Sequence, residues 1–436
     1  MSSWQTLLGM LSLVLAMACA TGSANEHSPG MPPECVPRGG LPNVLRKLAR
    51  GDSVRIAYLG GSITKSAGWR TMTAEWFQEQ YPKAKIEAIN AGISGTGSDL
   101  GVFRLERDVL QHDPDLLFIE FAVNDGGTSG ERIRKAMEGI VRKARRAKPD
   151  LDICLVFVVW QWMTEGLRQG DVPHTYTEHT DIAEHYDLPT IHMGLEVARL
   201  EKEGKLLFTG KWPETEEEKA ALGDSILFSM DGAHPYDSGH ALYAEAVARS
   251  VEKMKGIGEP GPRSLPDPFR EDNFEYAEPI PLDRAELSAG WRKLDVAGNP
   301  AVSKLLAGAE FGDRLDALWL AEDPGESISF RFRGTSVMIY DMAGPDCGQI
   351  IVTIDDREPK TIPRFDSWCE GHRVTVMIAA TDLPDEAHTI KFEIDDEQPD
   401  KVKLLAERGV TMDDPARYDG TKWYVGSILV TGEMLE

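Results

Sequence analysis

The chain has 436 residues, which is too long for one ordinary hydrophobic core, so we expect two domains. Apolar residues make up 42% of the sequence, a share that is typical of packed globular domains and excludes a disordered protein. The formal net charge is −24. It disfavours binding to nucleic acid and to anionic membrane surfaces, because both carry negative charge themselves.

The first 24 residues predict an export signal peptide. The apolar run Leu7–Ala18 has the length of a signal-peptide core and is too short to span a bilayer. Ala18-Cys19-Ala20 supplies a small-x-small cleavage pattern, although no Lys or Arg precedes the run. We therefore expect a periplasmic or secreted protein without a transmembrane segment. A lipid anchor on Cys19 remains an alternative.

Four cysteines remain after cleavage, namely Cys35, Cys154, Cys347 and Cys369. Export permits disulfides, and a bond between Cys347 and Cys369 is one open pairing. Cys154 lies in an apolar run and is expected to be a small buried hydrophobic residue. No pair shows CxxC spacing, so the cysteines predict no zinc or redox site. We expect no metal and no cofactor for this chain.

Short apolar runs alternate with amphipathic stretches between residues 40 and 258. The predicted strands are 54–59, 85–91, 115–123, 152–160 and 189–193. The clearest predicted helices are 98–111, 131–148 and 237–255. Nearly continuous apolar strands separated by helices indicate a parallel sheet that is covered on both faces. This pattern predicts a three-layer α/β/α domain with a flavodoxin-like parallel sheet over residues 40–258.

The pattern changes after this region. Residues 259–269 are rich in proline and glycine and predict a linker or a strap along the domain edge. Beyond them apolar residues recur at every second position, as in Ile328, Phe330 and Phe332. Turn signals separate several such runs. We therefore expect residues 270–436 to form an all-β accessory domain, an antiparallel β-sandwich of jelly-roll-like type.

Polar residues follow the predicted strands at the edge where α/β folds place their sites. Ser62 comes after the first strand and two glycines, and it precedes a predicted helix. A helix cap is the alternative role for this serine. Asp231 stands three residues before His234, close enough to fix the imidazole tautomer while the ring takes a proton from a serine. His240, on the next helix, is expected to be structural.

Acyl transfer also needs donors for the negative charge that develops on the substrate oxygen. Gly95 lies in the glycine-rich loop after the second strand, where the lack of a side chain lets a backbone N–H come close. Asn124 ends the third strand and offers a side-chain amide. Its neighbour Asp125 is expected to be a turn or capping residue.

The four segments that carry Ser62, Gly95, Asn124 and the Asp231–His234 pair resemble the sequence blocks of the SGNH (GDSL-like) hydrolases over residues 50–255. The resemblance implies that Ser62 is the nucleophile and that His234 is the general base, oriented by Asp231. It also implies an oxyanion hole formed by Gly95, Asn124 and the backbone of Ser62. The first block reads Gly-Gly-Ser-Ile instead of Gly-Asp-Ser-Leu. That form is similar to carbohydrate-esterase branches in which the esterase is joined to a β-sandwich.

The resulting hypothesis is an exported carbohydrate O-acetylesterase that acts on an acetylated polysaccharide or oligosaccharide. Trp69, Trp160 and Trp162 follow predicted strands, and each is a candidate for stacking on a sugar ring or, alternatively, for packing in the core. A lipase, thioesterase or lysophospholipase is the nearest alternative function. A carbohydrate-binding protein without catalytic activity is another, although the complete set of site residues argues against it. The sequence gives no oligomeric state.

Overall fold

The computed structural model describes residues 32–295, 298–310, 312–315, 317–412 and 414–436. The predicted signal peptide, with Cys19, lies outside the described residues. Within the described ranges, no helix combines the length and the apolar composition that crossing a membrane requires.

A six-stranded sheet organises the first half of the chain. Its strands are β1 (Cys35–Val36), β2 (Ser53–Gly60), β3 (Lys85–Gly92), β4 (Leu116–Glu120), β5 (Asp152–Phe157) and β6 (Thr190–His192). The strand order is β1-β6-β5-β4-β2-β3, and all pairs are parallel except β1 with β6. Every residue of β4 and β5 is buried, as expected for central strands that are covered on both faces. The parallel connections bring the carboxyl ends of β2, β3 and β4 to one edge.

Helices cover the sheet in two groups. They are α1 (Pro42–Arg50), α2 (Ser62–Lys65), α3 (Trp69–Gln80), α4 (Ser98–Asp108), α5 (Gly130–Ala147), α6 (Gln161–Gln169), α7 (His174–His185), α8 (Gly194–Lys202), α9 (Glu216–Leu222) and α10 (Asp237–Met254). α5 packs against both α4 and α7, whereas α10 packs against α3 and α8. The predicted three-layer α/β/α fold is confirmed.

The sequence missed three short strands in this half. β1 has only two residues and lies antiparallel at the edge of the sheet. A separate two-stranded parallel sheet joins β7 (Leu206–Thr209) to β8 (Ile226–Ser229). Strands this short carry too few residues for a hydrophobic period to be visible.

The second half of the chain is built on an antiparallel sheet, as predicted. Its strands are β9 (Pro279–Pro281), β10 (Glu286–Leu287), β11 (Arg292–Leu294), β12 (Leu318–Ala321), β13 (Ser327–Ala343), β14 (Gln349–Ile354), β15 (Lys360–Pro363), β16 (Arg373–Ala380), β17 (Glu386–Ile394) and β18 (Trp423–Leu435). Two helices accompany them, α11 (Pro300–Gly308) and α12 (Lys401–Ala406).

The long strand β13 holds this region together. One of its edges pairs with β18, and the other pairs first with β17 and then with β16. The change of partner coincides with register shifts between Gly334 and Met338. Before the shift, side chains alternate between buried and more exposed positions, and from Ser336 onward every residue of β13 is buried. The second half of β13 is therefore covered on both faces.

The two halves of the chain share one hydrophobic core. Met338 and Met342 of β13 belong to the same buried cluster as the strands of the parallel sheet. Val337 and Ile339, on the opposite face of β13, belong to a second cluster inside the antiparallel region. Residues 259–269 form a strap rather than a free linker, since Arg263 donates to Asp152 and the backbone N–H of Phe269 donates to Glu138.

All four cysteines of the described chain are buried free thiols. The pairing of Cys347 with Cys369 that the sequence left open is therefore not formed. Burial raises the pKa of both thiols. Cys154 is fully buried in β5, so its predicted role as a small core residue is confirmed.

Candidate active site

Ser62, His234 and Asp231 form a continuous hydrogen-bonded chain at the carboxyl edge of the parallel sheet. Nε2 of His234 lies 2.8 Å from Oγ of Ser62, and Nδ1 lies 2.6 Å from Oδ2 of Asp231. β2 ends at Gly60, and Ser62 is the first residue of α2. This short connection presents the hydroxyl at the sheet edge. The imidazole is thus placed to accept the serine proton on one nitrogen while the other faces a carboxylate.

The loop between β8 and α10 fixes the orientation of Asp231 and His234. Oδ1 of Asp231 accepts hydrogen bonds from the backbone N–H groups of Ala233 and His234 at 2.9 and 2.8 Å. Partial burial acts to raise the pKa of Asp231, but the hydrogen bonds from His234 and Ala233 outweigh it and lower that pKa to about 2. The carboxylate is therefore ionised at neutral pH.

Gly95 and Asn124 belong to loops that border the connection holding Ser62. A Cβ atom on Gly61 would lie 1.9 Å from Oδ1 of Asn124, so only glycine fits beside this amide. The loop that carries Gly95 starts at Gly92, where an added Cβ would meet the backbone of Lys65 in α2 at 2.4 Å. Gly95 itself has a φ of +70° and open space around it. The three predicted contributors to the oxyanion hole thus come from adjoining loops.

The three tryptophans differ sharply in exposure. Trp160 is 40% exposed and Trp162 is 57% exposed, both at the start of α6. Trp69 is fully buried and packs edge-on against Tyr58 and Phe118, at centroid distances of 5.3 and 6.0 Å. The prediction of a sugar-stacking role for Trp69 is therefore wrong, because the apolar start of α3 faces the core and no ligand reaches the indole.

The sequence missed a buried carboxyl group that contacts the helix carrying Ser62. Glu120, the last residue of β4, is 1% exposed and accepts a hydrogen bond from the Thr64 hydroxyl at 2.8 Å. Burial raises the pKa of Glu120 to about 8, although the Thr64 hydrogen bond acts in the opposite direction. Glu120 is thus neutral at pH 7. An apolar strand that ends in one acidic residue was the only available signal.

His240 is buried beside the same region. Its ring lies against Gly68, where an added Cβ would sit 2.4 Å from the imidazole. Burial lowers the pKa of His240 to about 4, and the nearby His234 adds to this lowering. Its expected structural role stays a prediction.

The antiparallel region also reaches this edge. Glu310 contacts the ammonium of Lys65 at 2.6 Å and the hydroxyl of Ser94 at 3.5 Å. Lys65 ends α2, and Ser94 directly precedes Gly95. A residue from the second half of the chain therefore links the two segments that carry Ser62 and Gly95. Nothing in the local sequence pattern indicates this contact.

One group of side chains in the described residues has the spacing for a metal ion. Asp346, Cys347 and His372 place their ligand atoms within 4.8 Å of one another. The ammonium of Lys422 lies 3.2 Å from the Asp346 carboxylate, and the Tyr424 hydroxyl donates to it at 3.0 Å. The Lys422 ammonium already neutralises the Asp346 carboxylate. The group is therefore an ion-pair network, which a metal ion could enter only by breaking it.

Comparisons with known proteins agree with this geometry. The model of the GDSL-like Lipase/Acylhydrolase family matches residues 51–242. A crystal structure of a two-domain esterase (CEX) active on acetylated mannans, co-crystallized with mannopentaose, is 22% identical, with a TM-score of 0.64 over 90% of this chain and 94% of that chain. A second structure of a two-domain esterase (CEX) active on acetylated mannans is 21% identical, with a TM-score of 0.64 over 90% of this chain and 95% of that chain. No curated protein sequence matches the chain at a significant level.

The likeness to these structures shows a shared fold over both halves of the chain. The family match covers the five parallel strands of the sheet and the loops that hold Ser62, Gly95, Asn124 and His234. Residues 51–242 therefore form a domain of the GDSL-like lipase/acylhydrolase family, and the chain is a carboxylic ester hydrolase.

Proposed function

We propose that the chain is an exported O-acetylesterase that removes acetyl groups from a polysaccharide or oligosaccharide through an acyl-enzyme on Ser62. The observation that carries the proposal is the Ser62–His234–Asp231 chain, with distances of 2.8 and 2.6 Å, on the surface of an acylhydrolase-family domain. Nε2 of His234 takes the proton as Oγ of Ser62 attacks the ester carbonyl. The acetyl group is then bound to Ser62, and the sugar hydroxyl leaves with that proton.

Deacylation uses the same groups in reverse. His234 removes a proton from water, the resulting hydroxide attacks the acetyl carbonyl, and Ser62 regains its proton as acetate leaves. Both steps place negative charge on the carbonyl oxygen. The backbone N–H groups of Ser62 and Gly95 and the amide of Asn124 are the donors that we assign to it. Their loops adjoin one another at Gly61 and Lys65.

Two features support a carbohydrate ester as the substrate. Trp160 and Trp162 expose large aromatic surfaces at the same edge of the sheet, and a Cβ on Gly126, two residues after Asn124, would lie 3.8 Å from the Trp162 ring. Exposed aromatic rings offer flat apolar faces on which a sugar ring can stack. In addition, the two solved structures that share the fold over both halves are of a two-domain esterase active on acetylated mannans.

Export rests on the N-terminal sequence alone. The apolar run Leu7–Ala18 and the Ala18-Cys19-Ala20 site are typical of a cleaved signal peptide. An exported enzyme would meet polymeric glycans outside the cell. N-terminal sequencing of the protein recovered from the producing cells tests this part of the proposal, because an uncleaved terminus would contradict it.

The substrate is tested by acetate release from acetylated mannan and by hydrolysis of 4-nitrophenyl acetate and 4-nitrophenyl palmitate. We expect wild type to prefer the two acetyl esters and S62A to lose about 10⁴-fold or more in kcat. S53A is the matched control, because Ser53 is an exposed residue at the start of β2, the strand that leads to Ser62.

The outcomes separate the parts of the proposal. Activity in S62A equal to wild type would contradict the acyl-enzyme on Ser62. A clear preference for the palmitate ester would favour the lipase alternative. Hydrolysis of 4-nitrophenyl acetate without release of acetate from any acetylated glycan would support an acetylesterase and contradict a carbohydrate substrate. W162A should raise KM for the polysaccharide about tenfold and leave KM for the aryl ester unchanged.

A further inference from the structure

A second histidine–aspartate pair lies inside the domain, behind the loops of the site. Asp125 and His179 are both fully buried, and Oδ2 of Asp125 lies 2.9 Å from Nε2 of His179. His179 comes from the middle of α7, more than 50 positions along the chain. The sequence assigned Asp125 only a turn or capping role. A turn residue would not need a buried partner from a distant helix.

The other oxygen of Asp125 reaches the loop that carries Gly95. Oδ1 accepts the backbone N–H of Ser98 at 2.8 Å, at the first residue of α4. A Cβ on Gly97 would lie 2.5 Å from the same oxygen, so this loop is pressed directly onto the carboxylate. Asp125 is also covalently next to Asn124. One carboxylate thus joins the two loops that carry Gly95 and Asn124.

We infer that Asp125 and His179 are positioning residues for the oxyanion hole. Asp125 holds the Gly95 and Asn124 donors at a fixed separation, and His179 holds Asp125. This inference rests on the proposed role of the two donors. Preorganised donors stabilise the transition state only when they are held within a fraction of an ångström of the oxyanion. A substrate in its ground state depends on them less, so the pair acts on kcat and not on KM.

Burial explains why this device takes a histidine. A buried carboxylate oxygen needs a donor, and an imidazole N–H at Nε2 supplies one. Nδ1 of His179 has no hydrogen-bonding partner among the described residues. In this tautomer the unpaired atom is an acceptor, while the carboxylate accepts at both of its oxygens.

The test uses 4-nitrophenyl acetate, with kcat and KM measured separately. In D125N the amide oxygen still accepts from Ser98, but an NH₂ group faces Nε2 of His179. We expect kcat to fall about 10- to 100-fold with KM within threefold of wild type. H179A should behave in the same way. H179Q restores an N–H donor and should recover most of the kcat that H179A loses.

D152N is the matched control. Asp152 is also a buried aspartate that accepts a backbone N–H, from Val44 at 2.8 Å, but it lies at the start of β5, at the opposite edge of the sheet. We expect D152N to lower the melting temperature and to keep kcat within twofold of wild type. A merely structural role for Asp125 predicts the same behaviour for both variants.

A double-mutant cycle shows whether Asp125 acts through the donors. In an N124A background, D125N should lower kcat by much less than it does in wild type. A kcat for D125N within twofold of wild type would overturn the inference, and so would the same factor in both backgrounds. If D125N does not fold, H179Q and H179A decide, because equal kcat values in these two variants would contradict the inference. S62A keeps the proposals apart: an active S62A refutes the proposed function, whatever D125N does.

Discussion

The buried polar groups at the two edges of the parallel sheet differ in how fully they are hydrogen-bonded. At the amino edge, Asp115 accepts from the backbone N–H of Arg55 at 2.9 Å and from Lys47 at 2.5 Å. Asp152, at the same edge, accepts from Val44, Asn43 and Arg263. Both oxygens of each carboxylate have partners. Such an arrangement is expected where an edge serves stability alone.

The carboxyl edge leaves several buried polar atoms without a hydrogen-bonding partner in the described part of the chain. They are Oε1 of Glu120 and the Nδ1 atoms of His179, His192 and His240. Unpaired buried groups lower stability. The amino edge has one as well, Nε of Arg145, which lines the same small cavity as Asp152. The difference is that the two aspartates of the amino edge are fully paired, whereas the edge that holds Ser62 leaves several buried groups unpaired at some cost in stability.

Among the variants that compare the two edges, the largest effect should come from Asn124 at the carboxyl edge. N124A removes one proposed oxyanion donor and should lower kcat by about 10²- to 10³-fold, or roughly 3–4 kcal/mol of barrier. N43A is the control, because Asn43 is a buried asparagine of the amino edge that hydrogen-bonds Asp152 and Gly261. It should lower stability and leave kcat within twofold. Equal loss of kcat in both variants would show that the two edges do not differ in their effect on catalysis.

Glu120 gives the carboxyl edge its own pH dependence of stability. Its pKa is about 8 in the folded protein and near 4.5 in the unfolded chain, so folding takes up a proton between these values. The free energy of unfolding should therefore fall as pH rises from 4.5 to 8, by about 2.5 kcal/mol between pH 5 and pH 7. E120Q lacks this contribution. Urea unfolding at several pH values measures both proteins, and parallel curves would contradict the prediction.

Asp115 probes the amino edge. D115A leaves the backbone N–H of Arg55 without its acceptor and removes a partner of Lys47. We expect the free energy of unfolding to fall by about 2 kcal/mol, while kcat changes less than twofold. Urea unfolding and an aryl acetate assay measure the two quantities. A strong loss of kcat without loss of stability would show that this edge also supports catalysis.

The smallest effect concerns the contact between the halves of the chain. E310Q weakens the ion pair with Lys65, whose partners are 38% and 41% exposed. Exposed pairs contribute about 0.5 kcal/mol, so kcat should change no more than about threefold. Salt screens such pairs, and the difference from wild type should shrink in 0.5 M NaCl. A salt-independent loss would point to a steric role for Glu310 instead.

The sequence predicted the central strands well because they are buried on both faces. β2, β4 and β5 all lie within their predicted ranges or within one residue of them. Ser62 was selected from its place after a strand and two glycines, and Asp231 and His234 were selected from their spacing of three residues. The structure brings the three side chains together, and their catalytic roles stay predictions. The second half also matched, because its period of two is hard to mistake.

The sequence did not predict contacts between residues that are far apart in the chain. His179 is one of three histidines on a polar helix, and only the tertiary packing of α7 brings it to Asp125. Glu310 lies 216 positions from Ser94, and no local pattern relates the two. Trp69 was misplaced for a related reason, since a helix start next to a reactive serine looks accessible until α3 packs on the core.

The burial of β13 on both faces has a consequence for anyone who re-engineers this enzyme. Met338 and Met342 pack in the interior of the esterase half, and their neighbours Val337 and Ile339 pack in the interior of the antiparallel half. Neither half is a portable module, because excising either one would open the interior of its neighbour to water. A foreign module should therefore be joined at the chain ends and not between the two halves, and the protein should melt in a single calorimetric transition.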